Sequence, residues 1–347
     1  MVLGFDLGSN TLRACVMKRA GVGFEIVKSS ERIVGSARGL VANKPLQNDA
    51  KERIWRALGE ILEELSDLIY ERNLEILDSC AKNLESGDTC ARNLDFDDTC
   101  ARNFKNAKFS LPYAAVATEA FRVASDSVEF FEKLYKEFCV KFSIIDGERE
   151  TNLTRLGIEN RLQILGIKAQ NAVSIDLGGA STEISSAKFG QSFKFGIVRF
   201  CNENPEILQK FNYAKFSQIA REQTRSAREF LRSFGAGKIV LTSGVPTTIS
   251  ALKLGICAKD YDADKINGSV LRFSDFAGAI GQILKFSKRE ADEAMGENRA
   301  EVIVAGALLL EAILSDFSGS GADFIVVDDG LREGVCINLM QNLAIKN

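Results

Sequence analysis

Apolar residues alternate with small and polar ones over residues 2–7 and again over 11–17, which predicts a β-hairpin with its turn at Gly8-Ser9-Asn10-Thr11. Phe24–Lys28 adds a third strand. From Asn48 to Glu71 the period changes. Ile54, Leu58, Ile61, Leu62, Leu65, Leu68 and Ile69 recur at helical spacing, with Asp49 placed to cap the helix. Tyr113–Thr118 reads as a strand, Ser125–Phe138 as a helix, Lys141–Ile145 as a strand and Arg149–Leu165 as a helix. The hairpin then returns as SIDLGGASTEISS, 170 residues after the first. A helix over Phe216–Phe234, a strand over Lys238–Thr242 and a helix from Thr247 to Leu254 follow. Helices over Phe273–Lys285 and Arg299–Leu314, a strand over Phe324–Val327 and a last helix to about Leu343 complete the order. Hairpins followed by alternating helices and strands, occurring twice, predict two α/β domains with a cleft between them.

One segment breaks this pattern. Asp78-Ser-Cys-Ala-Lys-Asn-Leu, Asp88-Thr-Cys-Ala-Arg-Asn-Leu and Asp98-Thr-Cys-Ala-Arg-Asn-Phe repeat with a period of ten. Structural zinc wants cysteines paired two to four residues apart, and Cys80, Cys90 and Cys100 are not. The segment reads as an expanded polar insertion outside the fold, with a partner-binding or redox role as the alternative.

Composition narrows the chemistry. The 347 residues carry a net charge of −3, so no global field draws nucleic acid or an anionic membrane. The absence of histidine removes imidazole metal ligands, Ser-His-Asp triads and imidazole proton relays together. Cys15, Cys139 and Cys336 sit singly in apolar patterns, as small buried thiols do. The longest apolar stretch, Val302–Leu314, contains Glu311 and is too short to span a bilayer. With no signal peptide before the first strand, these features predict a reduced, cytoplasmic protein.

The polar motifs gather into a phosphate site. Asp6 and Asp176 end the first strand of each hairpin. Gly8, Ser9, Asn10 and Thr11 form one turn; Gly178, Gly179, Ser181 and Thr182 form the other. Backbone N–H groups and hydroxyls in such turns suit phosphate, and the adjoining carboxylates suit a divalent ion. Thr118-Glu119-Ala-Phe-Arg122 puts an acid and a guanidinium at the cleft edge, where Arg122 can take a phosphate bidentately. Asp146-Gly-Glu148-Arg-Glu150 and Glu183 supply further carboxylates, and crowding of Asp176, Glu183 and Glu150 is expected to raise one of their pKa values by like-charge repulsion. Without histidine, a carboxylate is the natural base for water. Each residue also has a plainer reading: Glu150 and Glu119 as helix-terminus acids, Arg122 as an ion-pair partner, Asp6 as a turn former and Glu183 as a solvent-facing strand residue. Their joint recurrence favours the site.

FDLGSNTLR, VATEAFRVA, IIDGERET, SIDLGGASTE, TSGVPTTISAL, YDADKINGSVL and DDGLREGV, in this order, resemble the exopolyphosphatase/guanosine pentaphosphate phosphohydrolase (Ppx/GppA) family of the actin-like ATPase superfamily. The resemblance implies an α/β fold of two actin-like ATPase (ribonuclease H-like) domains with an interdomain cleft. Residues 1–116 with about 332–347 would form the first domain, carrying an insertion at 74–104, and 117–331 the second. It implies Mg²⁺ as cofactor, held by Asp6, Asp176 and Glu183, and catalytic roles for Glu150 as the base, Glu183, Asp176 and Glu119. Phosphate contacts would come from both turns, Arg122 and Gly244. The implied substrates are inorganic polyphosphate and guanosine pentaphosphate, with no nucleic-acid or membrane partner; short members of the family suggest a homodimer. Three departures stand out. Ala180 replaces a glycine, where a positive φ would strain it by about 1 kcal/mol. Gly244-Val245-Pro246 lacks the hydroxyl of the family's Gly-Thr. Arg149 replaces an acid beside Glu150, where it would contact substrate or lower the pKa of Glu150. The alternative to an enzyme is a non-catalytic alarmone or polyphosphate sensor on the same fold.

Overall fold

The computed structural model describes residues 1–21, 23–68, 109, 111–169, 172–234 and 238–345. The decapeptide repeats and their cysteines lie outside these residues.

The first half opens with β1 (Val2–Leu7), β2 (Thr11–Ala20) and β3 (Gly23–Ile33), an antiparallel meander. Helix α1 (Asn48–Glu64), strand β4 (Tyr113–Ala117), helices α2 (Glu119–Val123) and α3 (Ser127–Phe138), strand β5 (Phe142–Ile144) and helix α4 (Gly147–Ile164) follow. The second half repeats the plan with β6 (Ala172–Leu177), β7 (Thr182–Ser186), β8 (Gly190–Phe193), α5 (Ile197–Glu203), α6 (Tyr213–Gln223), α7 (Arg225–Arg232), β9 (Lys238–Thr242) and α8 (Gly244–Leu254). It closes with α9 (Ala263–Ile266), β10 (Val270–Leu271), α10 (Phe273–Ile283), α11 (Lys288–Met295), α12 (Ala300–Ile313), β11 (Phe324–Val326) and α13 (Leu331–Ile345).

The two sheets are ordered β3-β2-β1-β4-β5 and β8-β7-β6-β9-β11-β10. In each, a hairpin and its third strand run antiparallel, and two strands are then added in parallel to the first. The same plan thus appears twice, with one edge strand added to the second sheet. Alternation along β1 sends Leu3, Phe5 and Leu7 into the first core, while Val2 faces the opposite side with Cys15 and Met17 of β2. That opposite face is covered by α13 and α4. Helix α4 serves both sheets, since Leu153 packs with the first and Ile158 and Leu162 with the second. Nowhere among the described residues is a helix long and apolar enough to cross a membrane.

Several expected boundaries move. β4, which contains residue 116, and β5 beyond it both pair within the first sheet. The helix expected over 216–234 breaks at Thr224, whose hydroxyl donates to the Ala220 carbonyl at 2.8 Å. Gln47 rather than Asp49 precedes α1; Asp49 lies in its first turn and meets Arg53 at 2.6 Å. Helix α1 ends at Glu64, residues 66–68 are again helical, and the rest of the expected span to Glu71 lies outside the described residues. Cys15 and Cys336 are buried, but Cys139 is half-buried and ends α3 in the left-handed region at φ 57°.

Candidate active site

The strand register builds the site first. Asp6 pairs across its hairpin with Arg13, and Asp176 pairs across its own with Glu183. Both hairpins therefore present a polar pair at the same height, one acid with a base and the other two acids. The two turns touch. A Cβ added to Gly179 would lie 2.9 Å from the Ser9 Cβ and 3.6 Å from the Asn10 nitrogen. Gly178 is equally confined, since its Cβ would meet the Ser181 carbonyl oxygen at 2.8 Å. Neither glycine has a positive φ, and neither has Ala180. The turns thus need glycine for space rather than handedness, and the strain expected at Ala180 does not arise. Main-chain bonds from Ile197 to Gly178 and from Val198 to Gly179 (3.0 and 2.7 Å) pin the second turn to α5.

A cavity of ≈ 100 Å³ lies where the turns meet. Its wall includes Asp6, Gly8, Ser9, Asn10, Thr11, Glu150, Asp176, Gly178, Gly179, Ser181, Glu183 and Gly244, so most of the expected site is brought together. Three expected residues stand elsewhere. The Thr182 side chain is fully buried and its hydroxyl donates to the Phe195 carbonyl at 2.9 Å, so it serves the fold. Glu119 and Arg122 line a neighbouring cavity instead. Arg122 donates to Glu119 at 2.6 Å, to Glu150 at 2.9 Å and to the Ile145 carbonyl at 2.6 Å. Its guanidinium is thus engaged by two carboxylates and a carbonyl rather than standing as a free fork.

Burial, more than crowding, governs the carboxylates. It pushes Glu150 up to about 8, against the opposing charge of Arg122, with Asp6 and Asp176 adding to the rise. Asp6 rises to about 7 through burial, partly offset by Arg13. Asp176 rises to about 6 by burial, again opposed by Arg13. Glu183 is raised by burial first and by Glu150 and Asp176 next, while a 2.7 Å bond from the Ser192 hydroxyl opposes the rise. Like-charge repulsion, expected as the leading cause, is therefore secondary. The cation that matters at Glu150 is Arg122, not its neighbour Arg149.

Three cavity residues escaped the sequence reading. Arg13 faces Asp6 and bonds Glu31 at 2.8 Å; the hairpin register, which puts it seven residues after Asp6, was the available signal. Arg299 donates to the Gly244 carbonyl at 3.2 Å from the start of α12. Ser243 precedes α8 at φ 99°, ψ 174°, a region that belongs essentially to glycine, and its buried hydroxyl has no partner. Val245, the departure from the family's Gly-Thr, is buried against Gly306 of α12, where a Cβ would collide with it.

The residues fit a magnesium ion, though not in the set expected. Among the described residues no three carboxylates or thiols stand close enough to share an ion, so Asp6, Asp176 and Glu183 do not form a cage. Mg²⁺ needs only one or two carboxylates, with water and phosphate oxygens completing its octahedron. Asp6 Oδ1, buried without a hydrogen-bond partner, and Asp176 on the facing strand end supply that donor chemistry.

Comparison with known proteins bears on the fold and the family. The Ppx/GppA phosphatase family pattern matches residues 108–343. A guanosine-5'-triphosphate,3'-diphosphate pyrophosphatase of Pseudoalteromonas atlantica is 22% identical over 97% of this chain and 58% of its own length. A bifunctional 3-dehydroquinate synthase/phosphatase of Fusobacterium nucleatum is 24% identical over 61% of this chain and 32% of its own. The chain thus spans less than two thirds of either relative. Among solved structures, an exopolyphosphatase from Cytophaga hutchinsonii superposes with a TM-score of 0.71 at 18% identity, covering 98% of this chain and 97% of that one. The Aquifex aeolicus Ppx/GppA enzyme gives 0.64 at 21% identity, covering 97% and 98%. The two-domain architecture is the actin-like one. Twin hairpins whose turns meet over buried carboxylates, together with a family pattern running from before β4 into α13, place this chain in the Ppx/GppA phosphatase family.

Proposed function

We propose that the chain is a phosphohydrolase that releases the terminal phosphate of a condensed phosphate chain, either inorganic polyphosphate or guanosine pentaphosphate, using water activated by Glu150. The observation that carries this reading is the Glu150 carboxylate, buried and tethered by Arg122, at the wall of a cavity formed by the two touching turns. The related pyrophosphatase and exopolyphosphatase supply the two substrate classes. Backbone N–H groups of both turns, with the hydroxyls of Ser9, Thr11 and Ser181, would cradle the terminal phosphoryl group. Glu150 would take the proton of a water placed in line with the departing chain. Arg122 fixes that carboxylate, and Glu119 fixes Arg122. Mg²⁺ on Asp6 and Asp176 would offset charge on the phosphate oxygens. A binding-only role would need the departures at Ala180 and Val245 to damage the site, yet Ala180 sits at no positive φ and Val245 is packed against Gly306.

The test is phosphate release by Glu150→Gln against wild type, with tripolyphosphate, long polyphosphate, guanosine pentaphosphate and ATP, with and without Mg²⁺. A base contributes about 10²–10⁴-fold, so turnover should fall by that factor while polyphosphate is still bound. Near wild-type turnover rules out the assignment.

A further inference from the structure

Behind the carboxylate wall lies a second and larger space. It measures ≈ 710 Å³ and opens between the β7–β8 turn and the first turns of α4. Two hydrogen bonds link it to the smaller cavity through the site carboxylates. Arg122 lines the larger space and donates at 2.9 Å to Glu150, which lines the smaller. Ser192 does the same toward Glu183 at 2.7 Å. The two cavities are thus separated by one layer of polar side chains.

The wall of the larger space is cationic in balance. Arg122, Arg155, Lys188 and Lys194 border it, against Glu119 and Glu148. Glu119 is matched by Arg122, and Arg155 pairs with Glu159 at 3.0 Å. The ammonium groups of Lys188 and Lys194 enter no ion pair among the described residues. Against the single carboxylate of Glu148, these two lysines leave the wall net positive, which suits a small oxyanion.

Direction decides which anion. In phosphoryl transfer the attacking and leaving oxygens lie in line through the phosphorus. With water on the Glu150 side, the shortened chain departs on the opposite side, away from Arg122. The phosphorus that accepts the water oxygen is left beside Glu150, nearest the larger space. We infer that this space is an orthophosphate site on the nucleophile side of Glu150, which receives the product past the Arg122–Glu150 pair. This rests on the hydrolase reading. Lys188 and Lys194 supply the charge, and Arg122, shared by both cavities, is the contact over which the anion passes.

The probe is inorganic phosphate, titrated calorimetrically into the full chain with the turns filled by a non-hydrolysable imido-linked triphosphate. Orthophosphate should still bind. Its affinity should fall about five- to tenfold in Lys188→Ala/Lys194→Ala, about 1–1.4 kcal/mol for the two exposed charge contacts together, and recover in Lys188→Arg/Lys194→Arg. No binding to the filled protein, or equal affinity in the alanine variant, overturns the inference. A KM that rises with polyphosphate length in that variant while the orthophosphate affinity stays fixed makes the space a substrate groove and overturns it too. Lysine-dependent binding in a chain that hydrolyses no condensed phosphate keeps the anion site but sinks the hydrolase reading, so the two failures are told apart.

Discussion

Gly179→Ala tests whether the two turns work as one device. The added methyl would sit 2.9 Å from the Ser9 Cβ and 3.2 Å from a methyl of Val198. Carbon atoms rest at about 3.5–4.0 Å, so the turns must part by roughly 0.6–1 Å. Overpacking of this kind costs about 1–3 kcal/mol. A misplacement near 1 Å in a reacting constellation costs about 10²-fold in rate. Thermal unfolding and phosphate release, measured together, should show a Tm lowered by a few degrees and a hundredfold loss of turnover. Ser9→Gly in the same chain removes the clashing carbon and should return most of the Tm without the activity, because the Ser9 hydroxyl is lost. Gly278→Ala is the control. Gly278 is exposed on α10 with nothing within 4 Å of its would-be Cβ, and replacing a helical glycine should raise stability by about 0.5–1 kcal/mol. A Gly179→Ala enzyme with wild-type turnover and Tm would refute the contact between the turns and the site built on it.

Two further outcomes follow from the same region. Burial sets Asp6 at about 7, Asp176 at about 6 and Glu150 at about 8, whereas unfolded carboxyls titrate near 4 (about 3.9–4.3). Between these values the folded chain binds more protons than the unfolded one, so stability must fall as pH rises through the folded values. The metal-free protein should therefore melt highest near pH 5.5 and lower at 7 and 8.5, with Glu150→Gln flattening the upper part of the slope; a Tm that climbs with pH contradicts the burial of these acids. Ser243→Gly should raise stability by about 1–3 kcal/mol by releasing the φ 99° backbone, while KM for polyphosphate rises; denaturant titration and steady-state kinetics read the two, and a destabilised glycine variant counts against strain at this position.

Local pattern carried the architecture because strand alternation and helical spacing are short-range signals. The strand at Lys238–Thr242 falls where its short apolar run puts it, and both hairpins are where their turns predict. What failed was set by contacts distant in sequence. Nothing local says that β5 pairs with β4 rather than starting a new sheet, or that Arg122 is consumed by Glu150 twenty-eight residues on. Thr182 looked like a phosphate donor because its hydroxyl's real acceptor, the Phe195 carbonyl, lies on the far side of the next hairpin. The need for glycine in the second turn was legible, but its cause was not, since it comes from a neighbour in the other half of the chain. Arg13 was within reach: applying the seven-residue spacing of Asp176 and Glu183 to Asp6 names it.

The pairing of Cys15 with Cys336 brings together residues 321 positions apart. The face of the first sheet that holds Cys15 is covered by α13. Helix α4 covers part of that face early in the chain, but the part under α13 stays open until α13 itself has been made. The first half of the molecule is thus sealed by a helix that the second half delivers, which couples the folding of the two.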